Sequence, residues 1–244
     1  MPYPPRHNKK RITRLLSGFL MLSAALMAQT LGKFVNLQVL PGTISNQELT
    51  DMMRGFTFSL GVRCEYCHST KDFSADDKES KRTARMMLQM VAAINRDYVG
   101  KLSQQAPVQV ECMTCHRGLI QPKSLKSVLT EALEQHGVPA AIALYRDLKK
   151  KDYGSGEYDF SERSLNLLSE SLLKQRKTKE AVAIMELNLE VNAPLSGWAR
   201  SVLAMSHQGN GDIDKAIIDY QKILELRPND SWAKQQLEEL QKRK

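Results

Sequence analysis

Cysteine is scarce in this chain and confined to a short stretch. Four of 244 residues are cysteine, all lie between positions 64 and 115, and none follows. That confinement excludes a disulfide scaffold for most of the chain. No cysteine stands near the N-terminus, which excludes a lipoprotein anchor there. Aromatic residues reach only 6%, against 42% hydrophobic and 25% charged, a balance that excludes both a disordered chain and one that spans a membrane many times. Acidic residues are absent before position 29, whereas Arg6, Lys9, Lys10, Arg11 and Arg14 all lie there. Subtracting those five from the formal charge of +8 leaves +3, so the remaining chain is only mildly basic and no nucleic-acid partner is expected.

The basic stretch leads into an apolar run, Leu15 to Ala28, with small residues near its end. This pattern predicts an export signal at 1–28, cut after Ala28, and an extracytoplasmic, periplasmic location for the rest of the chain. The competing reading is an uncleaved N-terminal anchor, since the uncharged stretch to Leu31 is at the short edge of the ~17–25 residues a spanning helix needs.

The four cysteines form two copies of one pattern, Cys64-Glu-Tyr-Cys67-His68 and Cys112-Met-Thr-Cys115-His116. This is the Cys-x-x-Cys-His signature of covalent haem attachment. Two thiols three positions apart share one face of a short helical turn, where they form thioethers with the two vinyl groups of one haem. The following histidine then presents its imidazole to the iron. A shared structural zinc does not require histidine after each second cysteine, and its spacer is usually roughly 15–20 residues. Here 44 residues separate Cys67 from Cys112. Redox-active dithiols and two plain disulfides are the remaining alternatives. Two complete copies with no cysteine left over point to two haem c groups, with Cys64, Cys67, His68, Cys112, Cys115 and His116 as attachment residues and proximal ligands.

An electron carrier closes both axial positions of each iron, and Met or His supplies the second ligand. Of the other histidines, His7 lies in the signal, and His136 and His207 lie far downstream as surface or core residues. Methionine is abundant, with 11 copies. Ser45-Asn-Gln-Glu48 is a capping box that opens a helix with Leu49, Met52, Met53, Phe56 and Leu60 in its apolar positions, closed by Gly61. A second helix from about Glu79 to Tyr98 carries Met87, Met90, Val91, Ile94 and Tyr98 on one face. Met53 and Met90 are the expected sixth ligands, with Met52, Met86 and Met87 next in order. Core packing around large groups is the competing role for any of them. Arg63, Arg82 and Arg117 are candidate propionate partners, of lower rank.

The stretch from Val39 to Pro122 resembles one half of the multihaem cytochrome c subunit of photosynthetic reaction centres. The resemblance rests on Leu40-Pro-Gly42, Met53-Arg-Gly-Phe56, Leu60 to His68, Met90 to Asn95, and Cys112 to Gly118. It implies that each haem is held by a helix carrying the ligand Met, a turn, and then the Cys-x-x-Cys-His helix. Met53 and Met90 stand where that plan places such methionines. Members of that family carry up to four haems, whereas this chain has two motifs and a long C-terminal region that those subunits lack. The resemblance therefore implies a stand-alone two-haem carrier in respiratory or other electron traffic.

From Leu125 onward apolar helical periodicity continues to the end. Asp212 to Pro228 resembles the second helix of a tetratricopeptide repeat, and Lys179 to Met185 lies one repeat earlier, with Ala181 35 residues before Ala216. Ser164 to Lys174 is the partner helix, with Leu165, Leu168 and Leu172 inward. Leu125 to Gln135 with Ala140 to Leu148 form a divergent earlier pair, 152–160 is a loop, and Trp232 to Leu240 is a capping helix. Solenoids of this kind expose a concave surface that binds peptides or proteins.

The expected fold is mainly α. A small dihaem c-type cytochrome domain at 34–122 precedes a tetratricopeptide-like helical array at 125–244. The expected function is single-electron transfer between redox protein partners, including a membrane electron-transfer complex, with the array as docking module and no substrate transformed. Two alternatives are a haem-bearing redox sensor or assembly scaffold, and a haem peroxidase if one axial site is open. The cytochrome part has few strong elements and is expected to rely on its haems for a core.

Overall fold

The computed structural model describes residues 34–102 and 108–242; the expected signal at 1–28 lies outside them. The chain divides into two compact units, Met1–Ile120 and Gln121–Lys244. Among the described residues every regular element is helical, and no helix is long and apolar enough to cross a membrane.

The first unit is built from α1 (Asn46–Leu60), a 3-10 turn Cys64–Tyr66, α2 (Glu79–Asp97), a 3-10 turn Val99–Lys101, and the short α3 (Cys112–His116). The capping box expected at α1 forms. Ser45 Oγ accepts the Glu48 N–H at 3.2 Å, and Glu48 Oε2 accepts the Ser45 N–H at 2.9 Å. These hydrogen bonds, the backbone one first, lower the Glu48 pKa. Gly61 ends the helix in the left-handed region, at φ 64°. Helix α2 closes one residue earlier than the sequence suggests. Tyr98 caps it with an N–H to Ile94 O at 3.1 Å, and its exposed ring leaves the apolar face. Helix α3 starts from Glu111, whose N–H donates to Thr114 Oγ1 at 3.0 Å, and ends at Arg117 with φ 48°.

The second unit comprises α4 (Leu125–His136), α5 (Val138–Asp152), α6 (Glu162–Lys174), α7 (Thr178–Val191), α8 (Gly197–Asn210), α9 (Ile213–Leu226) and α10 (Ser231–Lys242). Sequential helices pack as pairs, and α4 on α6, α5 on α7 and α6 on α8 carry the stacking along the array. Leu165, Leu168 and Leu172 are buried as expected, in a core with Leu129, Tyr145 and Ile184. Ala204 and Ala216 are fully covered where α8 meets α9, so small side chains let the backbones approach. A buried polar chain was not foreseen. Asn188 Nδ2 donates to Asn166 Oδ1 at 2.8 Å, and Asn192 Nδ2 donates to Asn188 Oδ1 at 3.0 Å. Tyr145 OH donates to Asn192 Oδ1 at 3.0 Å. Of the two downstream histidines, His136 is exposed and His207 is buried, its Nδ1 2.9 Å from Asp219 Oδ2.

The two units differ in how they bury apolar surface. In residues 34–120 only Ile44 among the described apolar side chains is buried, and it is still 9% exposed; the rest of the core lies between Leu125 and Leu240.

Candidate functional site

The two Cys-x-x-Cys-His segments adopt tight turns. In the first, the Cys64 carbonyl accepts the N–H groups of Cys67 at 3.2 Å and His68 at 3.0 Å, which winds the motif into a 3-10 turn. The second is the five-residue helix α3. All four thiols are free, and among the described residues no three His, Cys, Asp or Glu side chains gather into a metal cluster. Cys64 and Cys115 are exposed. Cys67 and Cys112 are half-buried, and that burial pushes both thiols above their ordinary pKa.

The histidines share one arrangement. His68 Nδ1 lies 2.7 Å from Phe73 O, and His116 Nδ1 lies 2.8 Å from Leu119 O. A carbonyl only accepts, so each Nδ1 carries the hydrogen and each Nε2 keeps its lone pair. This is the tautomer an iron-ligating imidazole needs, oriented by the same kind of partner that metal-bound histidines use. Phe73 also stacks on His68, with ring centroids 5.1 Å apart.

Side chains from α2 tie it to both motifs. At its start, Ser80 Oγ donates to Tyr66 O at 2.5 Å and Lys78 Nζ donates to Glu65 O. Lys81 Nζ donates to Phe73 O, Ser74 O and Ala75 O. Near its end, Asn95 pairs with Val110 in both directions, each bond 2.8 Å, immediately before the second motif. Helix α1 is tied to the second motif as well: the Gly118 N–H donates to Ser59 O at 2.9 Å. The approach is so close that a Cβ at Gly61 would sit 2.1 Å from Gly118 O. Sequence reasoning missed Ser80 and Lys81 as scaffold residues, and Gly118 stood out only as the end of a segment shared with the family. Asn95 stood out there only as part of a segment shared with the family.

Met53 and Met52 sit half-buried on α1, about two turns before Gly61. Met86, Met87 and Met90 are on α2 and exposed, Met90 at 47%. Met86 lines a cleft with Arg82 and Arg85. Arg82 is engaged by Glu79 and by the Asp76 carbonyl.

The chemistry of each motif fits covalent attachment of haem c. Each motif offers two unpaired cysteine side chains and an imidazole held in the ligating tautomer. Around them the unit leaves large apolar side chains open, including Phe58 at 75% and Phe73 at 56%. Flat apolar macrocycles would cover such surface.

The family model for the photosynthetic reaction centre cytochrome c subunit matches residues 23–182. The chain belongs to that family. A tetratricopeptide repeat model matches residues 199–230, that is α8 and α9. Cytochrome c-554 of Chloroflexus aurantiacus is 39% identical over 82 residues, which cover 34% of this chain and 20% of that protein. The photosynthetic reaction center cytochrome c subunit of Roseobacter denitrificans is 32% identical over 106 residues, 41% of this chain and 28% of that one. The chain thus spans 20% to 28% of the length of these relatives. Among solved structures, the first tetratricopeptide domain of human RPAP3 is similar at 19% identity and a TM-score of 0.35, covering 48% of this chain and 87% of that one. Family membership makes this a c-type cytochrome with covalently bound haem, attached to tetratricopeptide-type helices.

Proposed function

We propose that this chain is an exported two-haem cytochrome that passes single electrons between redox proteins. The observation that carries the reading is the repeated imidazole geometry: two Cys-x-x-Cys-His turns, each with Nδ1–H committed to a main-chain carbonyl and Nε2 left to ligate. Cys64 and Cys67 hold one haem, and Cys112 and Cys115 hold the other. His68 and His116 are the proximal ligands. Met53 and Met90 complete the axial sets, and Met52, Met86 and Met87 are the alternatives on the same helices. Haem bound in this way supplies a one-electron iron couple. With His68 or His116 and a Met both held to its iron, a haem attached at either motif would have no open coordination position, so in this reading the chain carries electrons and transforms no substrate. Met ligation places both couples on the oxidising side of a bis-His pair.

The helical array is the docking module in this reading. It carries no cysteine and no haem-attachment motif, and Leu195 and Trp198 stay exposed on its surface. The partners are redox proteins, including a membrane electron-transfer complex, on the extracytoplasmic side of a membrane.

The test is a pyridine haemochrome assay with an oxidised optical spectrum on the full chain produced with a c-type maturation system. The expected result is two thioether-linked haems per chain and the weak long-wavelength Met–iron band. Met53→Ala and Met90→Ala should each remove about half of that band and let the reduced protein bind CO, while both haems stay attached. Two haems without the band would send the axial assignment elsewhere, and rapid CO binding by the unmodified protein would favour a peroxidase. No covalent haem would sink the reading.

A further inference from the structure

A single buried ammonium holds the loop between the first Cys-x-x-Cys-His turn and α2. Lys81 is only 9% exposed. Its Nζ lies 3.0 Å from Phe73 O, 2.9 Å from Ser74 O and 2.8 Å from Ala75 O, so its three protons meet three main-chain carbonyls. The counter-charge is shared. Asp76 Oδ1 is 3.2 Å from Lys81 Nζ, while Asp76 Oδ2 is 2.8 Å from Arg85 Nη1. Nearby Arg82 is held by Glu79. Asp76 is shared between two cations, and Asp72 also lies within electrostatic reach of Lys81, so the ammonium acts on Phe73 O by its direct hydrogen bond and not by a net charge of the cluster.

Phe73 O has a second donor. It is the same oxygen that accepts the His68 Nδ1–H, at 2.7 Å. The equivalent oxygen for His116 is Leu119 O, and among the described residues no cation reaches it. The two imidazoles therefore share a tautomer but not an acceptor of equal strength. A carbonyl that already accepts from an ammonium draws less on the imidazole proton. The imidazole is then less imidazolate-like and gives less electron density to a metal at Nε2.

We propose that Lys81 is a positioning residue that distinguishes the two haem sites: through Phe73 O it fixes the His68 imidazole and sets the first haem at a higher reduction potential than the second. The inference rests on the haem assignment above. It gives the chain an internal direction, with the electron residing on the first haem once one electron has entered.

The experiment is a potentiometric optical titration of the fully matured chain, with Lys81→Gln, Asp76→Asn and Arg82→Gln alongside the unmodified protein. Two resolved midpoints are expected in the unmodified protein. Lys81→Gln should move the higher one negative and leave the lower one in place. Asp76→Asn removes counter-charge while keeping Lys81, so it should move the same midpoint positive; it decides the question if Lys81→Gln does not mature. Arg82→Gln, which removes a charge from the same turn without touching Phe73 O, should move it less. The proposal is overturned by midpoints that stay fixed while the melting temperature falls, by a single unresolved wave in the unmodified protein, or by an equal shift from Arg82→Gln. Absence of covalent haem would instead fail the haem assignment itself, so the two failures are told apart before the titration starts.

Discussion

Gly61 does two things that no other residue type does at that place. It turns the chain through φ 64° at the end of α1, and it brings the backbone against Gly118. An L side chain in the left-handed region costs roughly 1–2 kcal/mol, and here its Cβ would also fall 2.1 Å from a main-chain oxygen. Gly61→Ala should therefore destabilise the cytochrome unit by more than the backbone penalty alone, read as a lower midpoint in chemical unfolding followed by haem absorbance. Of these two roles, only the helix stop was legible in the sequence. The contact with Gly118, 57 positions away, has no local signature.

At the scale of elements, the helices that carry the methionines also hold the attachment turns. Helix α2 uses Ser80 and Lys81 at one end and Asn95 at the other. The Asn95–Val110 pair satisfies an N–H and a C=O in the segment just before Cys112. Asn95→Ala leaves both groups without their partner, a change worth about 1–3 kcal/mol. The expected outcome is faster amide exchange at Val110 and the second motif, with the first motif unaffected. Equal protection in both proteins would show that the segment is held by other contacts. The helices themselves were readable from periodicity and caps, including the Ser45–Glu48 box. Periodicity stops short of the links, because a side chain that bonds a distant carbonyl leaves no repeating pattern in its own helix.

For the whole molecule, the decisive contrast is between a unit with its own core and a unit without one. Residues 125–240 bury Leu, Ile, Ala and Tyr side chains between stacked helices, whereas residues 34–120 bury Ile44 alone among the described apolar residues. So little buried apolar surface does not offset the entropy of ordering those residues. Chain produced without haem maturation should keep protected amides in Gln121–Lys244 and lose them in the first unit. The two sets of exchange rates should then differ by at least roughly a hundred-fold, which is ~2.7 kcal/mol. Full haem loading should close most of the gap. Equal protection without haem would mean that the first unit folds on its own.

The sequence by itself determined the chemistry: two Cys-x-x-Cys-His motifs, the capped helix bearing Met53, the helix bearing Met90, and the repeat spacing that makes Ala181 equivalent to Ala216. Each of these is local or periodic, so nearby residues carry the whole signal. Only the tertiary structure decided which proton each imidazole keeps and which groups hold the motifs in place. Only the structure set apart the two carbonyls behind His68 and His116. Those features depend on main-chain oxygens meeting side chains from other elements, and a carbonyl looks the same at every position of a sequence until the fold gives it a partner.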